Sequence, residues 1–71
     1  MPFSEWFYTL RIRRCLSQEK LAELLHVSRQ SISQWERGLT SPNLDNFKDL
    51  LLLLDVSVVE LQDLFSLINS K

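Results

Sequence analysis

Glycine is nearly missing from this 71-residue chain, which has one, alongside two prolines. So few turn formers argue against a turn-rich all-β domain. There is one cysteine and one histidine. That excludes an internal disulfide and leaves too few ligands for an ordinary structural zinc site, so no metal or other cofactor is expected. Scarce cysteine fits a reducing, cytoplasmic compartment. No apolar run approaches roughly 18 residues, so no membrane span is expected. The opening segment, MPFSEWFY, lacks the charged region and cleavage site of a signal peptide. Glycine-rich phosphate loops, HExxH and nucleophile elbows are also absent, and no enzymatic activity is expected.

What is present points to helices. The chain is 45% hydrophobic, apolar enough to fold. Leu, Glu, Gln, Arg and Lys are abundant, and all are good helix formers. The length suits one small domain over residues 1–71. Net charge is −1, yet it is unevenly spread. Residues 1–37 hold six Lys/Arg against four acids, or +2, and residues 38–71 hold two against five, or −3. A basic first half and an acidic second half imply two faces with two jobs.

Ser and Asn residues divide the chain into five helices. Ser4 is placed to cap a helix over residues 5–14, with Phe3, Phe7 and Leu10 at i, i+4, i+7 along its inner side. Ser17 is placed to cap residues 18–25, with Leu16 and Leu21 as a hydrophobic staple and Leu21, Ala22 and Leu25 buried. Ser28 caps residues 29–37, stapled by Val27 and Ile32, and Gly38 is the expected left-handed stop. Asn43 caps residues 44–54. Ser57-Val58-Val59-Glu60 has capping-box spacing and opens a fifth helix running to about residue 68. The fold class is therefore all-α.

Residues 16–38 are the most informative stretch. Two short helices meet at a tight turn, and the second presents Arg29, Gln30, Ser33 and Gln34 on one side. Arg pairs with guanine O6/N7, Gln with adenine N6/N7, and Ser with either. Ile32 and Trp35 lie toward the opposite side as anchors. An ordinary solvated helix also has a polar face, but the preceding helix and turn favour DNA. Gln18, at the start of its helix, suits a phosphate, and Ser31, Arg37 and Thr40 are further phosphate candidates. For Arg37 and Thr40 the alternative is that they are ordinary solvated side chains with no contact to DNA.

From about residue 7 to residue 61 the chain resembles the Cro/repressor (xenobiotic-response-element type) helix-turn-helix family of bacterial and phage regulators. The resemblance rests on Leu10-Arg11, Leu16-Ser17-Gln18, Leu21-Ala22, Val27-Ser28, Ile32-Ser33, Trp35-Glu36-Arg37-Gly38, Pro42-Asn43-Leu44 and Val56-Ser57, in family order and spacing. It implies a compact five-helix, lambda-repressor-like domain with helices two and three as the helix-turn-helix. It also implies base contacts from Arg29, Gln30, Ser33 and Gln34, a phosphate contact from Gln18, and an ion pair between Arg11 and Glu36. Three departures stand out. Cys15 and His26 replace glycines at corners, where either must adopt positive φ, which His tolerates better than most. His26 is therefore read as a turn residue and Cys15 as a small structural one. Leu52, Leu53 and Val59 stand where the family places polar residues.

The second half is rich in leucine. Residues 50–54 are five leucines in a row, too many for one helix to bury in one small core. Leu50, Leu51 and Leu54 are expected to face inward, and Leu52 and Leu53 outward. Large exposed apolar patches mark interfaces. A homodimer is expected, joined through residues 44–71 by Leu53, Val59, Leu61, Leu64, Phe65 and Ile68. The alternative is that the fifth helix folds back and fills the monomer core. A two-fold dimer reads an inverted repeat in double-stranded DNA, with half-sites roughly 34 Å apart. The expected function is a sequence-specific transcriptional regulator, a repressor or operon autoregulator that acts by occupancy. The competing expectation is an antitoxin or adaptor that binds a protein partner and touches DNA weakly.

Overall fold

The computed structural model describes residues 2–69. Five α-helices lie among them: α1 Pro2–Arg13, α2 Gln18–Leu25, α3 Arg29–Glu36, α4 Leu44–Leu53 and α5 Val58–Asn69. Met1, Ser70 and Lys71, the ends of the expected 1–71 domain, lie outside the described residues. The expected all-α class holds.

Helix starts follow the capping residues, with one correction. The side chains of Ser17, Ser28 and Asn43 accept hydrogen bonds from the backbone N–H of Lys20, Ser31 and Asn46. Ser57 and Glu60 form the reciprocal capping box, each side chain accepting from the other's backbone N–H at 3.1 and 3.0 Å. Ser4 does not cap α1. The helix already starts at Pro2, and Ser4 is buried inside its first turn. Proline is pre-set for that first helical position, so the helix starts before the serine.

Four helices end in the same closure. After α1, the N–H of Leu16 donates to the Arg11 carbonyl and that of Cys15 to Ile12. The same pair of bonds joins Val27 and His26 to Ala22 and Glu23, Leu39 and Gly38 to Gln34 and Trp35, and Val56 and Asp55 to Leu51 and Leu52. This is the Schellman motif, and it needs a left-handed residue at each corner. Cys15, His26, Asp55 and Gly38 supply it, with φ of 55°, 56°, 50° and 74°. Three of the corners continue into the next cap: Cys15-Leu16-Ser17, His26-Val27-Ser28 and Asp55-Val56-Ser57. Each such triplet stops one helix, drops an apolar side chain against the core and starts the next helix.

The core is drawn from all five helices. Trp6, Phe7 and Leu10 of α1 meet Leu21, Ala22 and Leu25 of α2, Ile32 and Trp35 of α3, Leu50 of α4 and Leu64 of α5, with Leu54 just past α4. Phe7 is central: it stacks on Phe3 at 5.5 Å and meets Trp35 edge-on at 5.8 Å. Of the five consecutive leucines, Leu50 and Leu54 are buried and Leu51 packs against the core, while Leu52 and Leu53 are 72% and 49% exposed. That split follows from helical spacing, which puts positions 50 and 54 on one side.

Leu64 corrects the expected dimer surface. It is only 3% exposed and belongs to the core, where α5 packs on α1. Leu61 is half-buried. The fifth helix folds back on α1 and contributes Leu64 to the monomer core. Val58, Val59, Phe65 and Ile68 of the same helix stay at 55–69% exposure.

Candidate nucleic-acid interface

The polar face of α3 is presented by its buried face. Ile32 is fully enclosed and Trp35 nearly so, one helical turn apart. Burying two such side chains contributes several kcal/mol and leaves α3 one rotational setting. In that setting Arg29, Gln30 and Arg37 are exposed, and Ser33 and Gln34 are half-exposed beside them. Thr40 is exposed in the loop that follows. Ser31 is half-buried, and its hydroxyl lies 3.0 Å from that of Ser28.

One acid in α3 could spoil a DNA-facing surface. Glu36 instead turns toward α1. The Arg11 guanidinium donates from Nε to its Oε2 and from Nη2 to its Oε1 at 3.1 Å. Both side chains are nearly enclosed, at 10% and 6% exposure. A third Arg11 bond, from Nη1 to the Leu16 carbonyl at 2.8 Å, reaches the corner before α2. The guanidinium also sits over the Tyr8 ring, 5.4 Å from its centroid. The hydrogen bond to Glu36 first, and its charge second, hold the Arg11 pKa above its ordinary value, against the opposing effect of burial. The Glu36 charge is therefore neutralised from inside, and the exposed charges from Arg29 to Arg37 are both positive.

Gln18 joins this cluster. Its side-chain Nε2 donates to Glu36 Oε1 at 3.0 Å. The start of α2 is thereby tied to the end of α3. The Gln18 amide keeps one N–H for a further acceptor, because an amide nitrogen carries two.

Sequence reasoning missed a second cluster. Arg14, one turn beyond Arg11, donates to both carboxylate oxygens of Glu60 at 2.8 and 2.7 Å. It also donates to the Leu54 carbonyl at 2.9 Å and the Asp55 carbonyl at 3.4 Å. Trp6 Nε1 donates to the Glu60 backbone carbonyl at 2.7 Å. The fork from Arg14, then the Ser57 backbone N–H, hold the Glu60 carboxyl down at about 2. The capping-box spacing flagged Glu60, but nothing local flagged its partner 46 residues away.

A short helix ended by a left-handed corner, then a second short helix whose polar face is held outward, is the architecture of a helix-turn-helix DNA-binding unit. The comparisons agree. A family model described as helix-turn-helix matches residues 8–61. The chain belongs to that family of DNA-binding transcription regulators. It is also 43% identical over 61 residues to the HTH-type transcriptional activator BcrR of Enterococcus faecalis. That match covers 86% of this chain and 30% of the relative, so the chain spans under a third of the relative's length. No solved structure matches the chain. Among the described residues, no helix is long and apolar enough to cross a membrane.

Proposed function

We propose that residues 1–71 form a sequence-specific DNA-binding unit of a transcription regulator that reads an inverted repeat as a homodimer. The observation that carries this is the setting of α3: Ile32 and Trp35 lock it inward while Arg11 neutralises Glu36, leaving a cationic, amide-rich face outward. Arg29, Gln30, Ser33 and Gln34 read base edges in the major groove. Gln18, Ser31, Arg37 and Thr40 flank them on phosphates and set register. Pairing uses Leu53, Val59, Phe65 and Ile68, all about half exposed or more. Two α3 faces then act together, while Asp45, Asp55 and Asp63 sit on the acidic half.

The regulatory outcome depends on where the operator lies. A dimer over the promoter blocks polymerase and represses. The Enterococcus faecalis relative, matched over 30% of its length, is named a transcriptional activator, which favours a second reading in which the bound dimer recruits polymerase from an upstream site.

Affinity selection from a random duplex pool, at low and near-physiological salt, tests the proposal. The expected result is an enriched inverted repeat, with affinity falling steeply as salt rises. Gln30→Ala and Gln34→Ala should each cost about 1–3 kcal/mol on that repeat and leave the helical content unchanged. No enrichment, with a co-purifying protein instead, would overturn the DNA reading in favour of an adaptor.

A further inference from the structure

Helix α5 is attached to the rest of the molecule almost entirely through α1, and the attachment is concentrated at one end. Glu60, in the first turn of α5, receives the Trp6 indole N–H on its carbonyl and the Arg14 fork on its carboxylate. Arg13 Nη1 lies 3.8 Å from the same carboxylate. One turn on, Leu64 is the buried residue of α5. Beside this corner the α1–α5 seam opens into a groove of about 530 Å³ lined by Glu5, Thr9, Arg13, Asp63, Ser66 and Leu67, with Trp6 and Leu10 alongside. Beyond Leu64, residues 65–69 of α5 are all exposed, so its fixed contacts lie in its first two turns. Its direction is set at the Glu60 corner.

The same α1 holds the recognition helix. Arg11 grips Glu36 at the end of α3, and Phe7 meets Trp35. Arg11 and Arg14 lie three residues apart, one turn along the helix. One gripping α3 and the other gripping the α4–α5 corner, they make α1 a strut between the DNA-reading face and the apolar side of α5.

We propose that the Arg14–Glu60 clamp is a specificity-determining positioning element that fixes the angle of α5 to the recognition helix and so sets the half-site spacing the dimer accepts. The inference rests on the dimer reading above. Neither residue touches DNA. Their effect is geometric: a change of one base pair moves a half-site by about 3.4 Å along the duplex and about 34° around it. A rigid strut discriminates against that change, and a loosened one tolerates it. Arginine suits the task because its planar fork spans a carboxylate while its Nε reaches a carbonyl.

The test uses duplexes carrying two copies of the selected half-site, with spacers stepped by one base pair, and a duplex with a single half-site. Wild type should prefer one spacer by about tenfold or more over its neighbours. Arg14→Met should narrow that preference to about threefold or less, while single half-site affinity stays within about twofold. Arg14→Lys keeps the charge but cannot span carboxylate and carbonyl together, and should fall between. It also keeps the test open if Arg14→Met does not fold. A folded, dimeric variant with the full wild-type preference overturns the proposal. So does a parallel loss of single half-site affinity, which marks general destabilisation. A wild-type chain that sediments as a monomer on DNA overturns the dimer reading, and the clamp's role with it.

Discussion

Cutting one side of the Arg11–Glu36 pair should be among the most damaging polar substitutions in this molecule. In Arg11→Met the methionine fills much of the arginine stem's space, but the Glu36 carboxylate loses both guanidinium bonds. It keeps only the Gln18 amide at 3.0 Å, in a site where its side chain is 6% exposed. Stranding one member of a buried pair typically costs 3–5 kcal/mol. The lost bond to the Leu16 carbonyl works in the same direction, and residual water at the rim works against it. The expected loss is about 3–4 kcal/mol. Against a total of about 4–10 kcal/mol for a domain this size, that is a large share. Urea unfolding followed by far-ultraviolet circular dichroism should show the midpoint falling by about 2–3 M. The double variant Arg11→Met/Glu36→Leu removes the stranded charge and should recover about 2 kcal/mol. A loss below about 1 kcal/mol for the single variant, or no recovery in the double, would refute the assignment of the pair as a buried structural link.

The remaining predictions concern the clamp, the corners and the apolar face. The Glu60 carboxyl lies at about 2 when folded, below its ordinary 4.5, so its stabilising effect is complete above pH 4.5 and fades as pH falls toward 2. Allowing for solvent at this partly open corner, about 1–2 kcal/mol should be lost over that window, and Glu60→Gln should flatten the dependence in acid titrations of stability. His26→Gly should raise the melting temperature: relief of the left-handed corner outweighs the added chain entropy by about 0.5–1 kcal/mol, and a drop would show that His26 makes contacts worth more than its strain. Phe65→Asp, at a 55% exposed site, should yield folded monomers by sedimentation, whereas Leu64→Asp should unfold the chain. A Phe65→Asp variant that remains dimeric would remove α5 from the pairing surface.

Much of the local structure was legible because the chemistry that makes it is local. A serine or asparagine before an apolar-periodic segment satisfies an orphan N–H within three residues, and the caps at Ser17, Ser28 and Asn43 are of that kind. Ser4 misled because a proline two positions earlier competes for the same start. The corners at Cys15 and His26 were legible as departures from glycine, whereas Asp55 carried no such signal and its φ of 50° came as a finding. For the candidate site, the polar face of α3 could be written down from its periodicity, since Ile32 and Trp35 leave the rest of that helix outward. The Arg11–Glu36 link spans 25 residues and was reached only through family resemblance. The Arg14–Glu60 clamp, at 46 residues, was not reached at all.

The sequence alone determined the helices, their limits to within a few residues, and the polar face of α3. These follow from caps, helical period and left-handed corners, all satisfied within a few residues of chain. Only the tertiary structure decided which leucines of the second half are core and which are free. Leu61, Leu64, Phe65 and Ile68 share one helical stripe, and the pattern does not say how much of that stripe the body covers. What settles the rotation of α5 is a set of long-range bonds, from Trp6 and Arg14 to Glu60, that pin its first turn on α1. The pinning buries Leu64, while Ile68, one turn further on the same side, stays exposed with the rest of residues 65–69 toward the end of α5.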